Sequence, residues 1–216
     1  MKKQITLSLT AGILIVSVAC KKSDSGSGSN ATTTPTTTTT YVQKYAVKSG
    51  ILEFDDIVVS SGITVTSKTK LYFDEYGHLE CEDVYKDGVL TESTFSDGTN
   101  LYQVVHEEKA AYKVAKAIRG TAYKFDWTEI SQKDKDDGKA KQLPNEVVAG
   151  KTCEAYYYIQ NNDTTTFAGY KNICLLTKSS NKYGTNTQKA TTIQENVKVD
   201  AAKFAVPSGY AVKTFN

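Results

Sequence analysis

Few residues in this sequence are of the types that perform catalysis or bind metal ions. His78 and His106 are its two histidines, and His106-Glu107-Glu108 lacks the second histidine, four residues on, that a helical zinc-protease motif requires. His78 and Cys81 together supply at most two of the ligands that a structural zinc site needs. An exposed histidine in a turn is the simpler interpretation of His78, and the sequence predicts neither a metal site nor a cofactor.

Three carboxylates lie close together in the sequence and could act as a general acid and base. They are Glu80, Glu82 and Asp83. In a strand, however, Glu80 and Glu82 share the face opposite Leu79 and Cys81, which predicts a solvated face. The chain also has no Gly-x-Ser-x-Gly motif, no glycine-rich phosphate loop before a helix and no dinucleotide fingerprint. These observations predict a protein that is not an enzyme.

Two of the four cysteines have a spacing that suggests a disulfide. Residues 151–159 and 167–178 flank the turn-forming residues 161–164, so they are predicted to pair as one hairpin centred near residue 163 or 164. Cys153 and Cys174 share that centre and would face each other, where a disulfide is geometrically allowed. The alternative is two unpaired buried thiols. Cys81 is interpreted as a core thiol that faces inward.

The first twenty residues have the composition of an export signal that ends at Cys20. Lys2 and Lys3 precede fifteen uncharged residues, 5–19, a run shorter than the roughly 20 apolar residues that cross a bilayer. The sequence up to Cys20 resembles the bacterial lipoprotein box, in which the cysteine is acylated and becomes the first residue. Ser17 stands where that box usually has Leu, Val or Ile, so ordinary secretion is the alternative. The prediction is a signal peptide over 1–19 and a lipid anchor on Cys20.

Residues 20–40 form the predicted tether between this anchor and the rest of the chain. They are rich in Ser, Gly and Thr and contain no residue that could anchor a core. A flexible coil of ~20 residues spans on the order of 25 Å root mean square. Lys21 and Lys22 follow the cysteine, where acidic residues tend to signal inner-membrane retention or surface export. The sequence therefore favours an outer-membrane lipoprotein that faces the periplasm, with surface exposure as the alternative.

The remaining residues, 41–216, have the composition of a single β-rich domain of about 175 residues. The full sequence has 26 Lys and Arg against 24 Asp and Glu, and without Lys2 and Lys3 the two signs balance. A neutral chain with Arg119 as its one arginine has no field that would attract nucleic acid. Fourteen tyrosines against seven phenylalanines favour strands, because tyrosine suits half-buried sheet faces.

From Tyr41 to Val114 the pattern predicts strands joined by short turns. Residues 60–62 close a first hairpin, and Asp87-Gly88 predicts a two-residue type I′ turn. Residues 75–77 suit a three-residue loop, which would place Phe73 opposite Leu79 and Leu71 opposite Cys81. One amphipathic helix is predicted over 125–135, an exposed loop over 133–141, a strand over 187–199 and one helical turn over 200–204, capped by Asp200. Residues 206–210 are predicted to end the domain.

Three stretches together carry a resemblance to a known family. They are Val47 to Ile51, Val148 to Cys153, and Phe204 to Tyr210. The chain resembles exported lipoproteins of the DUF4412 type and, more distantly, the superfamily of LolA, LolB, RseB and LppX. The resemblance implies a mainly β (α+β) fold, a strongly curved antiparallel sheet or half-barrel with one or few short helices over its concave face. In that superfamily the concave face receives acyl chains or a partner polypeptide.

Two functions follow as hypotheses from this fold and location. The first is a membrane-tethered protein that binds or carries a lipid-like ligand, because a large apolar concave face must be filled by its own helix or by a ligand. Its predicted lining residues are Leu71, Phe73, Leu79, Tyr85 and Tyr157. The second is a structural or interaction protein of the cell envelope that docks a protein or a glycan.

Overall fold

The described part of the chain comprises residues 41–114, 123–161 and 163–214 of a computed structural model. The predicted signal peptide 1–19, Cys20 and the predicted tether 20–40 lie outside these ranges. None of the helices within them has the length and apolar character of a membrane span.

Twelve strands of the described residues form one curved sheet that does not close into a barrel. Their order across the sheet is β12-β6-β5-β4-β3-β2-β1-β11-β10-β9-β8-β7, and all neighbours are antiparallel except β12 and β6. This confirms the predicted fold class. The strands are β1 (Gly50–Ser60), β2 (Ile63–Asp74), β3 (Leu79–Lys86), β4 (Val89–Ser96), β5 (Leu101–Val105), β6 (Ala110–Val114), β7 (Ala140–Val148), β8 (Lys151–Gln160), β9 (Asp163–Tyr170), β10 (Ile173–Asn181), β11 (Gly184–Glu195) and β12 (Ala211–Thr214).

The long hairpin of β1 and β2 is the centre of the sheet. Its turn lies where the sequence predicts it, since Ser61 and Gly62 both have positive φ, as a two-residue type I′ turn requires. The Asp87-Gly88 turn between β3 and β4 is confirmed in the same way. On its other side β1 pairs with β11, which begins at Gly184 rather than at the predicted residue 187.

The predicted register between β2 and β3 is wrong by one residue. Leu71 pairs with Glu82 and Tyr72 pairs with Cys81. The reason is the connection, which has four residues because a 3₁₀ turn, Glu75–Gly77, is followed by a helical His78 before β3 begins. A shift of one residue moves a side chain to the opposite face. Cys81 is buried as predicted, but on the opposite face from Leu71.

The predicted helix over 125–135 is broken into two short pieces. A 3₁₀ turn, Trp127–Glu129, is capped by Asp126, and α1 (Gln132–Asp136) is capped by Ser131. Two capping side chains within six residues start two helices and so prevent one continuous helix. α1 buries no residue. Instead Phe125, Trp127 and Ile130 pack on β8, β9 and β10, together with Tyr156, Tyr158, Phe167 and Cys174.

The region predicted as an exposed loop over 133–141 contains α1 and the first residues of β7. β7 continues through Pro144, which lacks an N–H and is tolerated because β7 pairs with β8 alone, at the edge of the sheet. The hairpin predicted between residues 151–159 and 167–178 is wrong in its centre and in its second strand, since residues 167–169 pair with 154–156 but residues 173–178 belong to β10. β9 lies between β8 and β10, and Lys171 and Asn172, both with positive φ, form the turn that the sequence interpretation missed.

The C-terminal segment, defined as residues 199–210, covers one face of β2 to β6. Asp200 caps a 3₁₀ turn, Ala201–Phe204, which confirms the predicted helical turn. Phe204 and Val206 pack against Cys81, Phe95 and Val104. The domain does not end at Tyr210, because β12 follows and pairs in parallel with β6.

Candidate functional site beneath the C-terminal segment

A buried carboxylate lies where the C-terminal segment crosses β3 and β4. Asp83 is 2% exposed, and its two oxygens accept from different elements. Lys203 Nζ, on the C-terminal segment, lies 2.5 Å from Oδ2, and Ser93 Oγ, on β4, lies 2.5 Å from Oδ1. The thiol of Cys81 also points at Oδ1, at 3.5 Å. A buried charge with this many partners holds the C-terminal segment on the sheet.

Hydrogen bonds extend from Asp83 through three further side chains. Ser93 Oγ is 2.8 Å from His106 Nε2, and His106 Nδ1 is 3.0 Å from the hydroxyl of Tyr210. Together with Lys203, these residues form what we call the Asp83 cluster: Asp83, Ser93, His106, Lys203 and Tyr210. Lys203, within the C-terminal segment, and Tyr210, at its end, therefore both bond to side chains outside the segment.

The direction of the hydrogen bonds argues against a serine nucleophile. An ionised carboxylate only accepts, so the 2.5 Å contact requires Ser93 to donate its hydroxyl proton to Asp83. His106 Nε2 must then donate to Ser93, and the Tyr210 hydroxyl donates to Nδ1. A catalytic histidine would instead accept the serine proton. The Asp83 cluster has the residue types of a hydrolase triad in an order that does not activate the serine.

The charges of the cluster are consistent with a neutral histidine beside an ion pair. Burial lowers the pKa of His106, Asp83 acts in the opposite direction, and Lys203 lowers it further. Burial alone would lower the pKa of Lys203, but the hydrogen bond and the charge of Asp83 outweigh it, so the pKa is raised. The ammonium of Lys203 also lies 4.3 Å from the ring centre of Tyr72.

A small cleft of about 150 Å³ opens beside this cluster. Its walls are mostly apolar and its polar groups are those of the cluster. The lining residues are Cys81, Asp83, Leu90, Ser93, Phe95, Val104, His106, Ala202, Lys203, Ala205 and Pro207. Ligand pockets usually measure roughly 300 to 1,000 Å³, so this cleft holds about one large side chain and not an acyl chain.

The five residues predicted to line a lipid cavity do not come together. Leu71 and Phe73 are each 1% exposed and belong to a packed cluster, where the ring of Tyr45 meets Phe73 edge-on at 4.8 Å. Leu79 packs on the opposite face with Cys81, because of the corrected register. Tyr85 follows Cys81 and Asp83 on β3, and Tyr157 lies on β8, where its hydroxyl donates to the carbonyl oxygen of Gly138 at 3.4 Å.

The predicted disulfide between Cys153 and Cys174 is wrong. Neither thiol forms a disulfide, because β9 separates their strands and the two side chains belong to different hydrophobic clusters. Glu154 and Cys174 both pair with Gly169, so Cys153, the neighbour of Glu154, points to the other face. The thiol of Cys153 donates to the Lys151 carbonyl oxygen and that of Cys174 to the Leu176 carbonyl oxygen.

The other residues with chemical potential are in structural contacts. Glu80 is not on a solvated face, since its carboxylate binds Lys44 Nζ at 2.7 Å and accepts from the Tyr45 hydroxyl. His78 is not simply exposed, since Tyr41 stacks on its ring at 4.3 Å. Within the described ranges, no group of three or more His, Cys, Asp and Glu side chains could hold a metal ion.

Sequence reasoning missed the Asp83 cluster, although one signal was available. Asp83 has the same parity in β3 as Leu79 and Cys81, so it points to the apolar face, where a charge needs a partner. Nothing local identifies Lys203, His106 or Tyr210 as members of the cluster, because His106 lies in the turn after β5 and the other two lie on the C-terminal segment.

Comparison with known proteins gives a likeness of fold. No family model matches this chain, and no curated protein matches it in sequence. An uncharacterised conserved protein from Thermus thermophilus has a similar solved structure, with a TM-score of 0.53 and 6% identity over 78% of this chain and 91% of that chain. The resemblance to DUF4412 lipoproteins stays a prediction.

Two further solved structures match with lower scores. A chain of the Pseudomonas aeruginosa MucA/MucB complex has a TM-score of 0.48 and 12% identity, over 77% of this chain and 58% of that chain. A putative outer membrane lipoprotein-sorting protein domain from Vibrio parahaemolyticus has a TM-score of 0.40 and 8% identity, over 73% of this chain and 89% of that chain.

Proposed function

We propose that this chain is a lipid-anchored, non-enzymatic interaction protein of the bacterial cell envelope that docks a protein partner. The observation that supports the proposal is that, within the described residues, the five candidate lining residues do not form one cavity wall. Leu71 and Phe73 belong to one packed cluster, and Leu79 packs against another on the opposite face. The cleft beside Asp83 is too small for an acyl chain.

The location in this proposal rests on the sequence. An acylated Cys20 would hold the domain at a membrane, most simply the periplasmic face of the outer membrane, at the end of the tether 20–40. The absence of catalysis in the proposal is supported by the direction of the hydrogen bonds in the Asp83 cluster.

The test uses the mature, membrane-extracted protein. Mass spectrometry of its N-terminal peptide should find acyl groups on Cys20, and Cys20→Ser should move the protein from the membrane to the soluble fraction. Apart from the acyl groups on Cys20, organic extraction should release no lipid in a stoichiometric amount. A protein partner should co-purify. A stoichiometric extracted lipid that is retained by Cys20→Ser would contradict the proposal and restore lipid carriage.

A further inference from the structure

One end of the sheet exposes apolar side chains that the core does not use. At the tip of the β1–β2 hairpin, Ile63 is 67% exposed and Val65 is 54% exposed. Ile57 and Val58, across the hairpin, are also exposed. We define the hairpin tip as residues 57–66. It contains no charged residue and no proline.

The outer edge of this tip has no strand beside it in the described part of the chain. β3 pairs with β2 only from Lys68 to Asp74, so residues 63–67 extend beyond it. In a two-residue hairpin the flanking pair, here Ser60 and Ile63, exchanges hydrogen bonds. Successive residues of a strand direct their N–H and C=O groups to alternate sides, so those of Thr64 and Thr66 point outward, away from β1. A β-branched, uncharged edge with four open backbone groups is a template for another strand.

The two terminal edges of the sheet differ from this one. β7 carries Pro144 and an irregularity between Leu143 and Glu146, and both features hinder pairing. β12 has four residues, one of which is Lys213. The β2 edge has none of these protections.

From this contrast we infer that residues 63–66 are the docking edge of the protein, and that their partner is an extended segment of another polypeptide, which adds to β2 as a strand. This inference rests on the proposed function and names its surface. Open backbone groups at Thr64 and Thr66 fit a peptide, which bonds to them. They do not fit the hydrocarbon of a bilayer, which offers no partner for a backbone N–H or C=O group.

The position of the N-terminal residues supports the same partner. Tyr41 stacks on His78, at the end of β2 opposite to Ile63, and β2 is roughly 36 Å long. Tyr41, the first described residue, therefore lies at the far end of β2 from the tip. An anchor that precedes Tyr41, as the sequence predicts, would attach the domain at that end and leave the tip accessible to a partner.

A second copy of this chain is the less suitable occupant. The four exposed aliphatic side chains offer on the order of 300 Å², against about 800 Å² per partner in a standard stable interface. Two copies would pair over only four residues, because β3 and its turn occupy the edge from Lys68 onward.

The experiment places a photoreactive benzoyl-phenylalanine at position 65 of the full chain, in the cells that naturally make it, with position 147 on β7 as the matched exposed control. We expect a protein adduct from position 65 and none from position 147. Thr64→Pro and Thr66→Pro each remove one outward N–H, and each should lower the adduct yield about fivefold, as the loss of one hydrogen bond predicts. Thr64→Val keeps the N–H and should leave the yield unchanged.

Several results would overturn the inference. An adduct of twice the mass of the chain, a lipid adduct, or a protein adduct that survives both proline variants would each exclude strand addition by a partner. An adduct from position 147 alone would leave the proposed function standing and move its surface elsewhere. No adduct from either position, with no co-purifying protein, would remove both proposals. Unchanged thermal unfolding of the proline variants shows that the hairpin itself is intact.

Discussion

Among individual residues, Asp83 is the charged side chain that the described part of the chain buries. Its carboxylate is buried and binds Lys203, Ser93 and the Cys81 thiol. Removal of one member of a buried pair leaves the other without compensation and is usually more harmful than removal of both. Asp83 therefore acts as a fixed point to which the C-terminal segment attaches.

Asp83→Asn should destabilise the domain by about 2 to 3 kcal/mol, because the ammonium of Lys203 loses its partner. Lys203→Met should cost a similar amount. The double variant should cost less than the two single changes together, because neither charge is then left alone. Urea unfolding of the four proteins measures this coupling. Strict additivity would show that the pair contributes nothing.

His106 predicts a dependence of stability on pH. Burial holds its folded pKa below its ordinary value of 6.5. The unfolded chain therefore binds the proton first as pH falls, so the contribution of His106 is fully present above about pH 6.5 and is lost as pH falls toward the folded pKa. His106→Gln should flatten the stability curve between pH 7.5 and 5. If the free energy of unfolding of the wild-type protein were the same at pH 7.5 and at pH 5, the assignment would be contradicted.

The thiol of Cys174 should resist modification in the native state. It is buried, and burial raises its pKa to about 11. Because the thiolate is the reactive form, a thiol reagent at pH 8 should label Cys174 only after unfolding, and intact-mass measurements with and without urea follow this. Rapid labelling of the native protein at this position would contradict the packing.

Among the features of the strands and helices, those that depend on neighbouring residues were predicted best from the sequence. The type I′ turns at residues 61–62 and 87–88, the Asp200 cap and the alternation within β2 are properties of neighbouring residues. The register between β2 and β3 was missed because the connection has four residues instead of the expected three. Within it Tyr76 adopts positive φ, which the sequence does not predict for a tyrosine. The β9 strand was missed because Lys171-Asn172 is a turn without glycine or proline.

Close packing of the 125–130 region on β9 gives a prediction for that element. A Cβ at Gly169 would lie 2.0 Å from a ring atom of Phe125, far inside contact distance. Gly169→Ala should therefore destabilise the domain by about 2 kcal/mol through overpacking. Phe125→Ala removes that ring atom, so the double variant should be destabilised by less than the sum of the two single changes. Thermal unfolding of the three variants measures this, and a neutral Gly169→Ala would contradict the packing of Phe125 on Gly169.

The Asp83 cluster illustrates why a site can be harder to predict than a fold. Parity in β3 points Asp83 inward, but the other members of the cluster lie on β4, in the turn after β5 and on the C-terminal segment. Their meeting depends on the strand order of the whole sheet and on the path of residues 199–210. Local patterns contain neither, so they predicted strands and turns and not the ion pair of Asp83 and Lys203.

At the scale of the whole molecule, the C-terminal segment is the cover of one sheet face. Truncation after residue 198 removes Phe204, Val206 and Lys203 and uncovers Phe95 and Val104. The truncated protein should bind a dye for exposed apolar surface and should aggregate, because a patch of several hundred Å² is unusual on a soluble domain. Dye fluorescence and light scattering measure both effects. A monodisperse truncated protein without dye binding would contradict this assignment.

The place of β1 in the strand order also has a consequence for the timing of folding. β1 is the first strand of the described chain, yet it lies inside the sheet, where Gly50 pairs with Glu195 near the end of the last long strand. Contacts between residues so far apart form late, since the intervening chain must first be available. Synthesis of the N-terminal half alone cannot complete the sheet. The nascent polypeptide therefore cannot complete the pairing of β1 until β11 has been synthesised, and until then one edge of β1 has no partner strand.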